Sequence, residues 1–415
     1  MRLKWIRVLI TGAAAIAIGI CVETTVTADR TADDPVSIAV AKGVKWLVSV
    51  QGKDGGWGQD GGETSYVRQG ERLESNGNDV ANTAVAAEAL LHTGNTPVHG
   101  PNREALQRAV NFILDHVERS PADGLAVTDL TGTQIQRKLG PYIDTFLTSK
   151  LLAELDGNMG DAQANARVRQ NLEKCVAKIQ KSQLKDGSWN IAGGWAPILG
   201  TSMASQSLYV ARAKGVAVPQ MEMAMGRVDN YTKLSAAAPP PPASVPTGVA
   251  GSGASVASGS LRAGVAGVAV GSATTVSLAD RELSASSAGI SLYKRAQELE
   301  QLTRTELDRK QNAKQIDAIK TQLSDPRFIT GFGSIGGEEF FSYLNISDSL
   351  HRAGGPEWVR WNTDMKAKIL KMQNEDGTWA GHHCITGRVA VTSAAILMLV
   401  ADREKIVLTS SVQKR

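Results

Sequence analysis

Three cysteines in 415 residues are too few for a disulfide framework. If Cys21 leaves with a leader, only Cys175 and Cys384 remain, and stability has to come from a buried core. A composition that is 42% hydrophobic can supply one. Charge of one sign is missing too. Against 45 basic residues stand 41 acidic ones, for a net charge of +4, and no Lys/Arg cluster interleaves with aromatics, which excludes nucleic acid as a partner. Aromatic residues make up only 5% of the chain. Long hydrophobic runs are absent except at the start, where MRLKWIR is followed by VLITGAAAIAIGICV and the small residues Val26-Thr27-Ala28. Basic, apolar and small segments in that order read as a signal peptide over 1–28 and predict a periplasmic or secreted protein. The apolar run is shorter than the ~20 residues of a spanning helix, so no membrane span is expected once the signal is removed.

What is present is a repeat. Gln51-x-x-Asp54-Gly55-x-Trp57, Gln183-x-x-Asp186-Gly187-x-Trp189 and Gln373-x-x-Asp376-Gly377-x-Trp379 share one spacing. Gln322-x-x-Asp325-Pro326-x-Phe328 is a weaker copy, and Asp123-Gly124 an eroded one. Each turn follows a run with apolar residues three and four apart, such as Val40, Val44, Leu47 and Val48, which predicts a helix ending at the glycine. Each is followed by a helix rich in small residues and marked by Thr83-Ala84, Thr148-Ser149, Thr201-Ser202 or Thr392-Ser393. The pattern predicts an all-α fold of about five hairpins. Outer helices are expected at 36–52, 102–117, 162–183, 292–324 and 357–374, and inner ones at 79–94, 142–156, 200–214, 337–353 and 387–402. Polar first helices and apolar, small-residue second helices suit a closed α/α toroid with the second set inward; an open solenoid is the alternative.

The toroid is expected in two parts, 35–216 and 292–403. Between them, 217–291 reads as a low-complexity, largely disordered insertion, because APPPPASVPTGVAGSGASVASGS has almost no large side chains with which to form a core. The charged run from Leu292 to Leu323 reads as one elongated outer helix, since its apolar residues are too irregular for a sustained heptad.

The Gln-x-x-Asp-Gly-x-Trp turns joined to Thr-Ser/Ala helices resemble the repeats of squalene-hopene cyclases and protein prenyltransferase β subunits. The resemblance covers 35–215 and 315–402 and implies an α/α toroid with a central cavity. It also implies two kinds of site. A squalene cyclase protonates an alkene with the middle Asp of Asp-x-Asp-Asp-Thr-Ala. The matching segment here is Asp79-Val80-Ala81-Asn82-Thr83-Ala84, with alanine at the position of the donor. Alanine has no proton to give, and the few aromatics offer little to hold a carbocation. A prenyltransferase holds zinc with Asp, Cys and His at the cavity mouth. His382, His383 and Cys384 are the candidates, with Asp79 or Asp144 as the carboxylate. A diphosphate donor would need a basic cluster, and only Arg388 and Lys150 are at hand.

Register gives the remaining candidates. Asp79 and Asp144 each lie four residues before the inner-helix threonine and Arg388 holds the same place before Thr392, so all three should meet at one end of the ring near Glu338 and Glu339. There they could form zinc ligands (with His383 or Cys384), an ion network pairing Arg388 with Asp79 or Asp144, or a ligand site. Cys175 reads as core, and His92, His99, His116 and His351 as surface residues at helix ends. Two functions are expected: an exported toroid that binds an apolar small molecule or a protein segment in its cavity without catalysis, or a divergent cyclase/transferase-type enzyme using Asp79, Asp144, His382, His383 or Cys384.

Overall fold

The computed structural model describes residues 34–61, 77–191, 197–237, 290–323, 325, 336–382 and 385–403. Residues 1–28, read above as a signal peptide, the Gly/Ala/Ser-rich stretch 238–289, and His383 and Cys384 lie outside these residues. Among the described residues there is no strand beyond two isolated bridges, and no helix is long and apolar enough to cross a membrane.

The helices pair into hairpins. The first is α1 (Pro35–Ser49) with α2 (Val80–His92); the second joins α3 (Arg103–Arg119), through the short α4 (Gln134–Leu139), to α5 (Ile143–Leu155). The third is α6 (Ala162–Lys181) with α7 (Pro197–Ala213), and the fourth α8 (Met221–Ala237) with α9 (Ile290–Leu302). After the short α10 (Glu306–Gln311) come α11 (Ala313–Leu323) with α12 (Gly337–Ala353), then α13 (Pro356–Lys371) with α14 (Arg388–Val400). The second members touch in the order α2, α5, α7, α9, α12, α14 and back to α2. That is the closed all-α toroid expected from the sequence, and open stacking is excluded. Small residues make the inner ring possible. Every residue from Val80 to Leu90 and from Val389 to Val400 is buried, many of them alanine, serine or threonine, so neighbouring helices approach closely on all sides.

The described ring holds six hairpins rather than five. The expected outer helix 292–324 is broken, and its halves do different jobs: α9 is inner and α11 outer. The break lies at Thr303-Arg304-Thr305. Thr303 Oγ1 donates back to the carbonyl of Leu299 (2.8 Å), and Thr305 forms a reciprocal capping box with Asp308 that starts α10. The partner of α9 is α8, which lies within the stretch assigned to the insertion. Met221, Ala224, Met225 and Val228 bury one face of it at helical spacing. The composition of 238–289 had masked this short periodic segment beside it.

The repeated turn is a staple built alike three times. Gln51, Gln183 and Gln373 each donate through Nε2 to the carbonyl of the turn glycine (2.8–3.0 Å). Each also donates to a carbonyl of the next outer helix, Ala105, Ala224 and Ala39 respectively, at 2.9 Å. Asp54, Asp186 and Asp376 accept from the amide two residues on. The tryptophan indoles donate to the last turn of their own outer helix, at Leu47, Ile179 and Ile369. Their backbone amides donate to Thr83, Thr201 and Thr392 of the inner helix, which explains the threonine mark. At the eroded second turn Lys178 of the following hairpin substitutes, donating to the carbonyls of Pro121, Gly124 and Ala126.

The turn glycine serves two ends. Gly377 has φ +88°, and a Cβ there would meet the backbone of Lys42 in α1 at 2.9 Å. Gly377→Ala is therefore expected to cost more than the ~1–2 kcal/mol of a left-handed alanine alone. Urea denaturation reads this directly, and a loss below ~1 kcal/mol would contradict the close approach.

Candidate functional site

Antiparallel hairpins give the ring two unlike faces. Inner helices begin on one face, which is crossed by long connections such as 120–142; they end on the other, crossed by short ones such as 156–161 and Gly354–Gly355. The described candidates from the sequence, Asp79, Asp144, Glu338, Glu339, His382 and Arg388, lie on the first face, where all but His382 and Arg388 are buried.

Asp79 and Asp144 are brought together there. Asp79 caps α2, accepting from the Asn82 amide (2.8 Å) and from Asn82 Nδ2 (2.7 Å). Asp144, in the first turn of α5, accepts from the Ala81 amide (3.1 Å) and from Gln136 of α4 (2.7 Å). Both side chains are buried. Burial, reinforced by the Asp144 carboxylate, pushes the Asp79 carboxyl up to about 7, and burial pushes Asp144 up to about 6.

Arg388 is on the same face but pairs with neither. Its backbone amide donates to Asp60 at 2.9 Å, its Nε lies 3.3 Å from the same carboxylate and its Nη1 3.2 Å from Asp376, and the guanidinium lies over the Trp46 ring. The ion pair expected with Asp79 or Asp144 is replaced because Asp60, in the turn after Trp57, reaches the start of α14 first. Gln134 of α4 completes the cover, bonding Thr386 and the Gly387 amide. Glu338 and Glu339 open α12 at this end and are buried. His382 is exposed beside a surface cleft of about 690 Å³ that Arg388 also lines. His383 and Cys384 lie outside the described residues, so of this cluster only His382 has a described position.

The second face holds an open cavity of about 380 Å³. Its wall includes His92, Lys150, Glu154, Asp348 and Arg352, with Tyr209 and Val400 as apolar surface. Lys150 pairs with Glu88 and lies 3.3 Å from Glu154, and His92 Nε2 is 2.8 Å from Glu154 Oε2. His351 also lines the cavity and stacks on Trp358 with centroids 4.7 Å apart. His92 and His351 were expected at the surface; the ring instead turns the last turns of α2 and α12 toward its axis. Deeper in, Val85, Phe146, Met203, Phe341 and Leu344 leave only about 30 Å³. Cys175 is core, as expected, and burial pushes its thiol up to about 12.

A signal for this face was available. Glu88 and His92 stand four apart on an otherwise apolar helix, as do Lys150 and Glu154. Charges on inner helices cannot all be solvated, so they mark a cavity or a buried network.

The sequence profile of the squalene-hopene cyclase C-terminal domain matches residues 18–139, which span the first hairpin, α3, α4 and the Asp79 segment. Over these residues the chain is similar to that domain, as the turns suggested, and the helical ring agrees with the fold the similarity implies. No curated protein matches the chain.

Proposed function

We propose that the protein is an exported toroid that binds a protein segment at the open mouth where its inner helices end, and that it performs no chemistry of its own. The observation that carries this reading is the contrast between a filled centre and an open, mixed-charge mouth. Pockets for small ligands commonly run from ~300 to 1,000 Å³, and the ~30 Å³ along the axis takes no terpenoid chain. The mouth is large enough for a few side chains, and it sets Lys150 and Arg352 beside Glu154 and Asp348 around Tyr209, the mixture that recognises a peptide with charges of both signs.

Catalysis is less well supported. The cyclase donor position is Ala81, and neither Asp79 nor Asp144 lines either cavity or the surface cleft.

Native mass spectrometry of the mature protein from its own compartment tests the proposal. A peptide adduct is expected, on a chain beginning at Asp29, and it should disappear in Asp348→Lys/Arg352→Glu while circular dichroism stays unchanged. An adduct of terpenoid mass, or turnover of a polyprenyl substrate, would overturn it.

A further inference from the structure

We propose that Glu88, His92 and Glu154 form a divalent-cation site at the base of the open mouth, whose wall His92 and Glu154 line with Glu88 beneath them, suited to Zn²⁺ or Mn²⁺. The three residues offer one ligand atom each, and these atoms all lie within 4.8 Å of one another. Glu88 and His92 are four apart on one face of α2, and Glu154 comes from the adjacent α5. Metal–ligand distances of ~2.0–2.2 Å put paired ligands at most about 4.4 Å apart, so small side-chain rotations close the set. One imidazole and two carboxylates are a donor set for first-row dications rather than for softer ions.

The local electrostatics point the same way: Lys150 pairs with Glu88 and lies 3.3 Å from Glu154, and α2 and α5 both end here with the negative ends of their dipoles toward the cluster. Lys150 is the present counter-ion and the natural competitor. Its flexible stem lets a dication displace it from Glu88 without moving the helix. Three protein ligands leave positions open toward the 380 Å³ cavity, and Lys214, Arg352 and Arg403 on that wall suit a bound ion that carries an anionic group. The site shares its mouth with the proposed binding function but is independent of it, because the metal alone is the probe.

The test uses the full mature chain stripped by a chelator, then titrated with Zn²⁺ and Mn²⁺ by calorimetry and checked by elemental analysis after dialysis. One equivalent per chain is expected. His92→Ala and Glu154→Gln should weaken binding by roughly 100-fold or more, since losing a residue that only orients a metal ligand already costs about 10–100-fold. Lys150→Met should bind as tightly as the unaltered chain or tighter. His382→Ala/His383→Ala/Cys384→Ala should bind as the unaltered chain does. If His92→Ala folds poorly, His92→Gln and the visible bands of the Co²⁺-loaded chain report on the imidazole instead. No stoichiometric binding in either the unaltered or the Lys150→Met protein would leave the cluster a plain ion-pair network and overturn the proposal. Binding lost only in the 382–384 variant would overturn it in favour of that cluster.

Discussion

Trp379→Ala is expected to lower folding stability by about 3–5 kcal/mol, the range for a large aromatic deleted from a core. Trp379 is fully buried, donates from its indole to the Ile369 carbonyl at 2.8 Å and donates from its backbone amide to Thr392 Oγ1. Its ring also lies 3.1 Å from where a Cβ on Gly43 of α1 would stand. The side chain therefore fills space within the sixth hairpin and at the seam between that hairpin and the first. Alanine would leave a cavity at both and strip a helix-end carbonyl of its donor. Trp379→Phe keeps most of the volume and loses the donor, so about 1–2 kcal/mol is expected. Urea denaturation gives the totals, and hydrogen exchange locates them: protection should fall in α1 and α13 before α5 or α6. Uniform loss of protection around the ring, or an alanine variant within ~1 kcal/mol of the parent, would mean that the seam does not depend on this residue.

The second large effect is on pH dependence. Asp79 and Asp144 titrate near 7 and 6 in the folded protein, against a reference of 3.8. The folded state thus holds these protons more tightly than the unfolded chain does. The stabilisation that protonation gives is complete below pH ~4 and is lost as pH rises through 6 and 7. At about 1.4 kcal/mol per pH unit of displacement the pair is worth a few kcal/mol, less whatever the two coupled carboxyls share. Asp144→Asn fixes one of them in a neutral form. Relative to the unaltered protein, it should gain about 1–2 kcal/mol between pH 5 and pH 8, from the one unit between pH 5 and about 6 and from the Asp144 charge that no longer raises Asp79, measured by denaturation at both values so that groups outside the pair cancel. A variant that tracks the parent across that range would show that Asp144 is charged in the fold at both ends.

The ring was legible because its staples are local. A glutamine, an aspartate, a glycine and a tryptophan at fixed spacing each meet a backbone group within one hairpin or the next helix, and the helical bounds followed to within a few residues. The fourth hairpin was not legible, because its two helices are separated by 238–289 and its inner member carries Gln297 and Glu300, which look like a solvated face until the ring buries them. Register correctly brought Asp79 to Asp144. It misplaced the partner of Arg388, since Asp60 comes from a connection with no repeat signal. It also passed over the mouth at Glu88, His92 and Glu154, because a histidine at a helix end reads as surface until one knows that the end points inward.

A closed ring also has no first or last unit. α14 packs on α2 and α1 on α14, so the junction between the described ends, 34 and 403, is held by side chains like every other. An open stack needs polar caps on its terminal units; here each hairpin has two neighbours and none is terminal. Residues 403 and 34 lie on the same face, so joining them while cutting within 238–289 would yield a circular permutant with every helix beside the same partners. Covalent order and spatial order are separable in this molecule, and the fold depends on the second.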